Sequence, residues 1–154
     1  MEIALTDTSE TSEQVQIALG WREWLALPGL GIDRIKAKID TGARTSALHA
    51  FQVEADATGS AVRFLMHPVQ DDTDIVVACE SDVIDRRVVR DSGGHEEERY
   101  VIASNVVLGS VVRDIELTLT DRDSMGFRML LGRTAMAGCV VHPEASYMLG
   151  GEDS

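Results

Sequence analysis

The sequence predicts an all-β domain. It contains many short runs in which apolar and polar residues alternate, spaced regularly along the chain. Turn residues close these runs, and no segment sustains a helical period. Such a pattern folds as a barrel or a sandwich. With 154 residues the chain suits one domain with a modest core.

Residues 1–18 read as an acidic, Ser/Thr-rich tail without a fixed fold. "MEIALTDTSETSEQVQ" has neither the basic nor the apolar region of a signal peptide. The ordered domain is expected over 19–149, with 150–154 as a C-terminal tail. "WREWLALP" alternates loosely and stops at Pro28, which predicts a strand and a turn. In "GIDRIKAKID", Ile35, Ala37 and Ile39 alternate with Arg34, Lys36 and Lys38, the mark of a half-buried strand. "TSALHAFQVEA" starts another strand, and "AVRFLMHPV" a further one that stops near Pro68. "QDDTD" is a turn and "IVVACE" a buried strand. "DVIDRRVVR" and "ERYVIASNVVL" are β-rich arms around "DSGGHEE", a hairpin signal. "VVRDIELTLT" alternates cleanly, and "FRMLLG" is a short apolar run closed by Gly132. The one helix is expected near 133–137, stopped by Gly138. "CVVHP" and "SYMLG" close the chain.

The net charge of -12 argues against a nucleic-acid backbone as main partner, because phosphate contacts need clustered cations. No apolar run approaches membrane-spanning length. Two cysteines, Cys79 and Cys139, make no disulfide framework, so a cytoplasmic setting is expected. Of the 14 basic residues, 12 are Arg, a side chain suited to gripping carboxylates in pairs of hydrogen bonds.

The chemistry centres on "KAKIDTGARTSALHA", residues 36–50, where an alternating strand ends in Asp40-Thr41-Gly42. Gly42 permits a sharp turn and close approach of another chain, and Thr41 offers a hydroxyl. Two carboxylates about 3 Å apart share one proton, and one can then act as base toward water while the other polarises a carbonyl. The sequence holds one Asp-Thr-Gly, so a second aspartate has to come from a second copy, on the axis of a two-fold homodimer. Alone the tripeptide is also an ordinary turn.

The order of motifs adds weight: strand and Asp-Thr-Gly, Gly-tipped hairpin at 91–97, then "MLLGR" at 129–133 leading into a helix. That order resembles retropepsin-like aspartic peptidases. "KAKIDTGARTSALHAF", "RDSMGFRMLLGR" and "GWREWLALPGLGI" are similar to the RimK/LysX-associated members, many of which carry the label "ATP-dependent zinc protease". The likeness spans roughly residues 19–149. It implies a closed β-barrel whose hairpin is a flap over substrate and whose apolar-apolar-Gly strand passes beside the aspartate loop. By that resemblance Asp40 is the catalytic aspartate, with Thr41 and Gly42 building its loop. Ala43, Arg44, Thr45 and Ser46, the hairpin residues Arg90, Gly93, Gly94 and Arg99, and Arg133 of the second motif are the implied substrate-binding residues. The association with ATP-grasp ligases that add glutamates implies a Glu-rich peptide or protein substrate and a ligase partner. Arg44, Arg90, Arg99, Arg128 and Arg133 could form a carboxylate-binding rim, or each could pair with a neighbouring Asp or Glu.

The zinc and ATP of the label lack motifs. His49, His67, His95 and His142 form no HExxH, and there is no GxxxxGK[ST]. No cofactor is therefore expected, and any ATP requirement belongs to a partner. His49 reads as a hydrogen-bonded histidine beside a strand. There is no GxSxG, and Cys139 and His142 lie on opposite faces of an expected strand. A binding module for Glu-rich tails or the ligase, and a zinc peptidase, stand as alternatives to the peptidase.

Overall fold

The computed structural model describes residues 16–69, 72–90, 93–121 and 126–151. Alternation becomes strand along most of the chain. The strands are β1 (Ile17–Leu19), β2 (Arg22–Leu27), β3 (Ile32–Ile39), β4 (Ser46–His49), β5 (Phe51–Ala55) and β6 (Ala61–Met66). They continue as β7 (Val77–Asp82), β8 (Asp85–Arg90), β9 (Glu96–Leu108), β10 (Val111–Thr120), β11 (Met129–Leu131) and β12 (Cys139–Val141). The fold is all-β.

β3 shows the cause. Ile32, Ile35, Ala37 and Ile39 are buried, while Arg34 and Lys38 face solvent. Each fully buried aliphatic side chain stabilises the fold by about 1.5–3 kcal/mol before entropy is counted. Seven strands pair in the order β10-β4-β11-β3-β2-β9-β8, and β9 also pairs with β10, so the hydrogen bonding closes into a ring with β8 attached to β9. β5, β6 and β7 form a second sheet, whose Val62, Phe64, Met66 and Cys79 join the core of the ring. β1 and β12 pair in parallel.

Five expectations change. The tail expected over 1–18 ends earlier, because Ile17–Leu19 form β1 and Leu19 is fully buried; residues 1–15 lie outside the described residues. "TSALHAFQVEA" is two strands, not one. Ala50 is buried between them and Gln52 adopts φ 51°, so β4 stays in the ring and β5 enters the other sheet. "IVVACE" starts pairing only at Val77, leaving Ile75 and Val76 exposed. The helix near 133–137 is a single 3-10 turn, Arg133–Ala135, and Pro28–Leu30 forms another where a plain turn was expected. "SYMLG" contributes an isolated bridge between Ser146 and Arg22. Among the described residues no helix is long and apolar enough to cross a membrane.

Glu23 ties the two ends of the domain together. Its carboxylate, fully buried, accepts backbone N–H bonds from Gly20 (2.6 Å), Met148 (2.9 Å) and Leu149 (3.0 Å). Three charge-assisted bonds offset the cost of burying the charge.

Candidate active site

β11 is wedged between β3, which it meets in parallel, and β4, which it meets antiparallel. The loop that leaves β3 and enters β4, residues 40–45, therefore lies at the end of β11. Backbone bonds fix it there. Asp40 N–H donates to Leu131 C=O (2.9 Å), Arg133 N–H to Ala43 C=O (2.8 Å) and Thr134 N–H to Arg44 C=O (3.0 Å). The Arg133 guanidinium donates from Nη1 to the carbonyls of Thr41 and Gly42, both at 3.2 Å. Ser46 Oγ accepts from Gly132 N–H at 3.0 Å. Gly42 N–H donates to Asp40 Oδ1 at 3.0 Å and so orients the carboxylate. The apolar-apolar-Gly strand thus supports the loop from beneath.

Gly132 is where the two segments touch. A Cβ there would stand 2.6 Å from the backbone carbon of Thr45 and 2.8 Å from its oxygen. Backbone cannot swing aside as a side chain can. Gly132→Ala should cost about 2–3 kcal/mol, as overpacking does. Urea unfolding checks it; a loss under about 0.5 kcal/mol would mean the loop is not held this tightly.

A cleft of about 1320 Å³ opens over the loop. Asp40, Gly42, Ala43, Arg44 and Thr45 line it, together with Ile84 and Arg87–Arg90 of β8. Arg99, Asp114, Glu116 and Thr118 come from β9 and β10. The β8–β9 hairpin carries Arg90 opposite Glu96 and leaves Gly93 and Gly94 exposed at its tip, away from the cleft lining; Asp91 and Ser92 of the expected tip lie outside the described residues. Thr41 is exposed, and Ser46 is fully buried and turned away from the cleft, its hydroxyl on Gly132. Arg133 clasps the loop from outside the lining.

Sequence reasoning missed Arg87. It bonds Asp85 at 2.7 Å and Glu116 at 2.9 Å, tying the hairpin arm to β10. Its bond to Asp85 raises the guanidinium pKa and holds the Asp85 carboxyl below the usual range. The Gly-Gly tip is the stronger local signal in this segment. Counting outward from it sets Arg87 opposite Arg99, and cross-strand neighbours share a face.

The arginines expected on a rim are mostly engaged. Arg90 pairs with Glu96, and Arg99 bonds Glu97 (2.8 Å) and Thr118 (3.3 Å). Arg128 donates from Nη1 to His49 Nδ1 at 3.2 Å. A guanidinium only donates, so Nδ1 accepts and the ring proton sits on Nε2. His49 is buried and hydrogen-bonded, as read from the sequence, but it is the last residue of β4 and does not lie beside the strand. Arg44 is exposed and makes no side-chain bond among the described residues.

Among the described residues no three His, Cys, Asp or Glu side chains come together as metal ligands. Nor is either thiol primed for attack: burial pushes Cys79 up to about 11 and also raises Cys139.

The chain is 48% identical over 135 residues to a probable alpha-L-glutamate ligase of Shewanella pealeana, covering 86% of this chain and 30% of the relative. It is 50% identical over 138 residues to a protein of the same name from Parasynechococcus marenigrum, covering 88% and 30%. The chain thus spans about 30% of the length of these curated relatives. A Legionella pneumophila crystal structure of unknown function shares the fold at TM-score 0.71 and 24% identity, covering 88% of this chain and all of that one. The family model described as retropepsin-like aspartic endopeptidase RimB matches residues 18–150, and the chain belongs to that RimB-like family.

Proposed function

We propose that the chain is an aspartic endopeptidase that works as a homodimer, with Asp40 of each copy forming the dyad. The carrying observation is Asp40 itself: half-buried, oriented by Gly42 N–H, and fixed at the wall of a peptide-sized cleft. In this reading the closed ring of strands is the barrel of a retropepsin-like fold, and the β8–β9 hairpin is its flap. Thr41, exposed beside Asp40, is available to the second copy.

The dyad holds one proton between two carboxylates. The ionised member takes a proton from water, whose oxygen attacks the scissile carbonyl carbon. The protonated member gives its proton to the carbonyl oxygen. The resulting gem-diol collapses: one hydroxyl gives its proton to the carboxylate left ionised, the C–N bond breaks, and the amine leaves with the proton of the other carboxyl, so the dyad again holds one proton. One water is consumed, and an acid and an amine are released. No metal enters.

The substrate proposed is a Glu-rich peptide tail, in the cytoplasm. Two relatives named as glutamate ligases carry a segment about half identical to this chain. A domain that accompanies a ligase meets that ligase's glutamate-bearing product, and a ligase is the proposed partner. The test is cleavage of an oligoglutamate-tailed peptide, read by mass spectrometry, with and without chelator. The proposal expects cutting that chelator leaves unchanged. Activity lost to chelator and restored by zinc would overturn it in favour of metal chemistry.

A further inference from the structure

Four arginines line the cleft: Arg44, Arg87, Arg90 and Arg99. Three already face carboxylates of their own chain. Arg87 is bound by Asp85 and Glu116, Arg90 by Glu96, and Arg99 by Glu97. A guanidinium so paired offers an incoming carboxylate little net field, and the net charge of -12 repels an acidic tail at long range. Arg44 differs. It is exposed, lines the cleft, has no ion pair among the described residues, and lies four residues beyond Asp40. Its backbone is anchored, because its carbonyl accepts the Thr134 N–H at 3.0 Å. The side chain therefore springs from a fixed point near the reacting carboxylate.

We infer that Arg44 is the specificity-determining residue of the cleft, and that it binds one carboxylate side chain close to the scissile bond. This rests on the peptidase reading above. Recognition is then local. The enzyme reads a single glutamate next to the cut on each side that a copy of the chain faces. The rest of an acidic tail is tolerated and not gripped. Self-paired arginines elsewhere in the cleft explain how an acidic protein handles an acidic tail without holding its products.

The test is a glutamine scan. An all-glutamate peptide is changed to Gln one position at a time, and kcat/KM is measured with the wild-type and Arg44→Gln proteins. A charge-assisted bond lost at either of the two reading positions, one on each side of the cut, lowers the wild-type value by roughly ten- to a hundredfold. Positions farther away change it by less than about threefold. In Arg44→Gln that positional sensitivity disappears. Sensitivity at the same positions that persists in Arg44→Gln, or a loss spread evenly along the peptide, would overturn the inference and leave the peptidase reading intact. Binding of the uncut peptides to Asp40→Asn and to the Asp40→Asn/Arg44→Gln double variant, followed by fluorescence anisotropy, reads Arg44 without turnover. Equal affinities there refute Arg44 as the reader. Absence of wild-type cutting on any peptide counts against the peptidase reading alone.

Discussion

Asp40→Asn is expected to fold as the parent does and to lose peptide cleavage by at least about a thousandfold. The asparagine Oδ1 still accepts the Gly42 N–H, so the loop has no reason to move. Its amide cannot take a proton from water or share one with a second carboxylate. Binding of the peptide persists, because the cleft wall is unchanged. The checks are a melting temperature within about 2 °C of the parent and a cleavage assay run to several half-lives of the parent reaction. Retained turnover would place the chemistry on another group, and the thiols are poor substitutes, since burial raises both.

Glu23→Ala should give the largest loss of stability. Removing the carboxylate strands three N–H groups, those of Gly20, Met148 and Leu149, around a fully buried position. Each buried N–H left without an acceptor costs about 1–3 kcal/mol, so together they are a large share of the roughly 5–15 kcal/mol that holds a domain together. Glu23→Gln should fall between, because one of the two oxygens becomes a donor facing donors. Urea unfolding separates the three proteins. A cost below about 1 kcal/mol for the alanine variant would mean the chain ends are held by something other than this carboxylate.

Glu23 also marks a limit of sequence reading. It sits in an alternating strand as an ordinary polar residue, and nothing local says that residues 148 and 149 return to it. The strands themselves were legible, because one face of β3, β6 or β10 meets the core and periodicity two records that directly. The switch between sheets at Ala50 was not. It depends on a left-handed Gln52 with no Gly or Pro to announce it. Asp40 stood out because an ordered strand ended in a carboxylate and a glycine. The clasp of Arg133 on the Thr41 and Gly42 carbonyls did not, since it joins positions some ninety residues apart. Arginine partners were ambiguous for the same reason: spacing along a chain does not say which carboxylate folds back to which cation.

The most direct test of the shared dyad is a mixing experiment. A fixed amount of wild type is unfolded and refolded together with increasing Asp40→Asn protein, and cleavage is followed. If each site needs Asp40 from two copies, a ninefold excess of the variant leaves about one tenth of the wild-type chains paired with each other, and activity falls to about one tenth. A site complete within one chain would keep its full activity at every ratio, and that result would contradict the dimeric dyad.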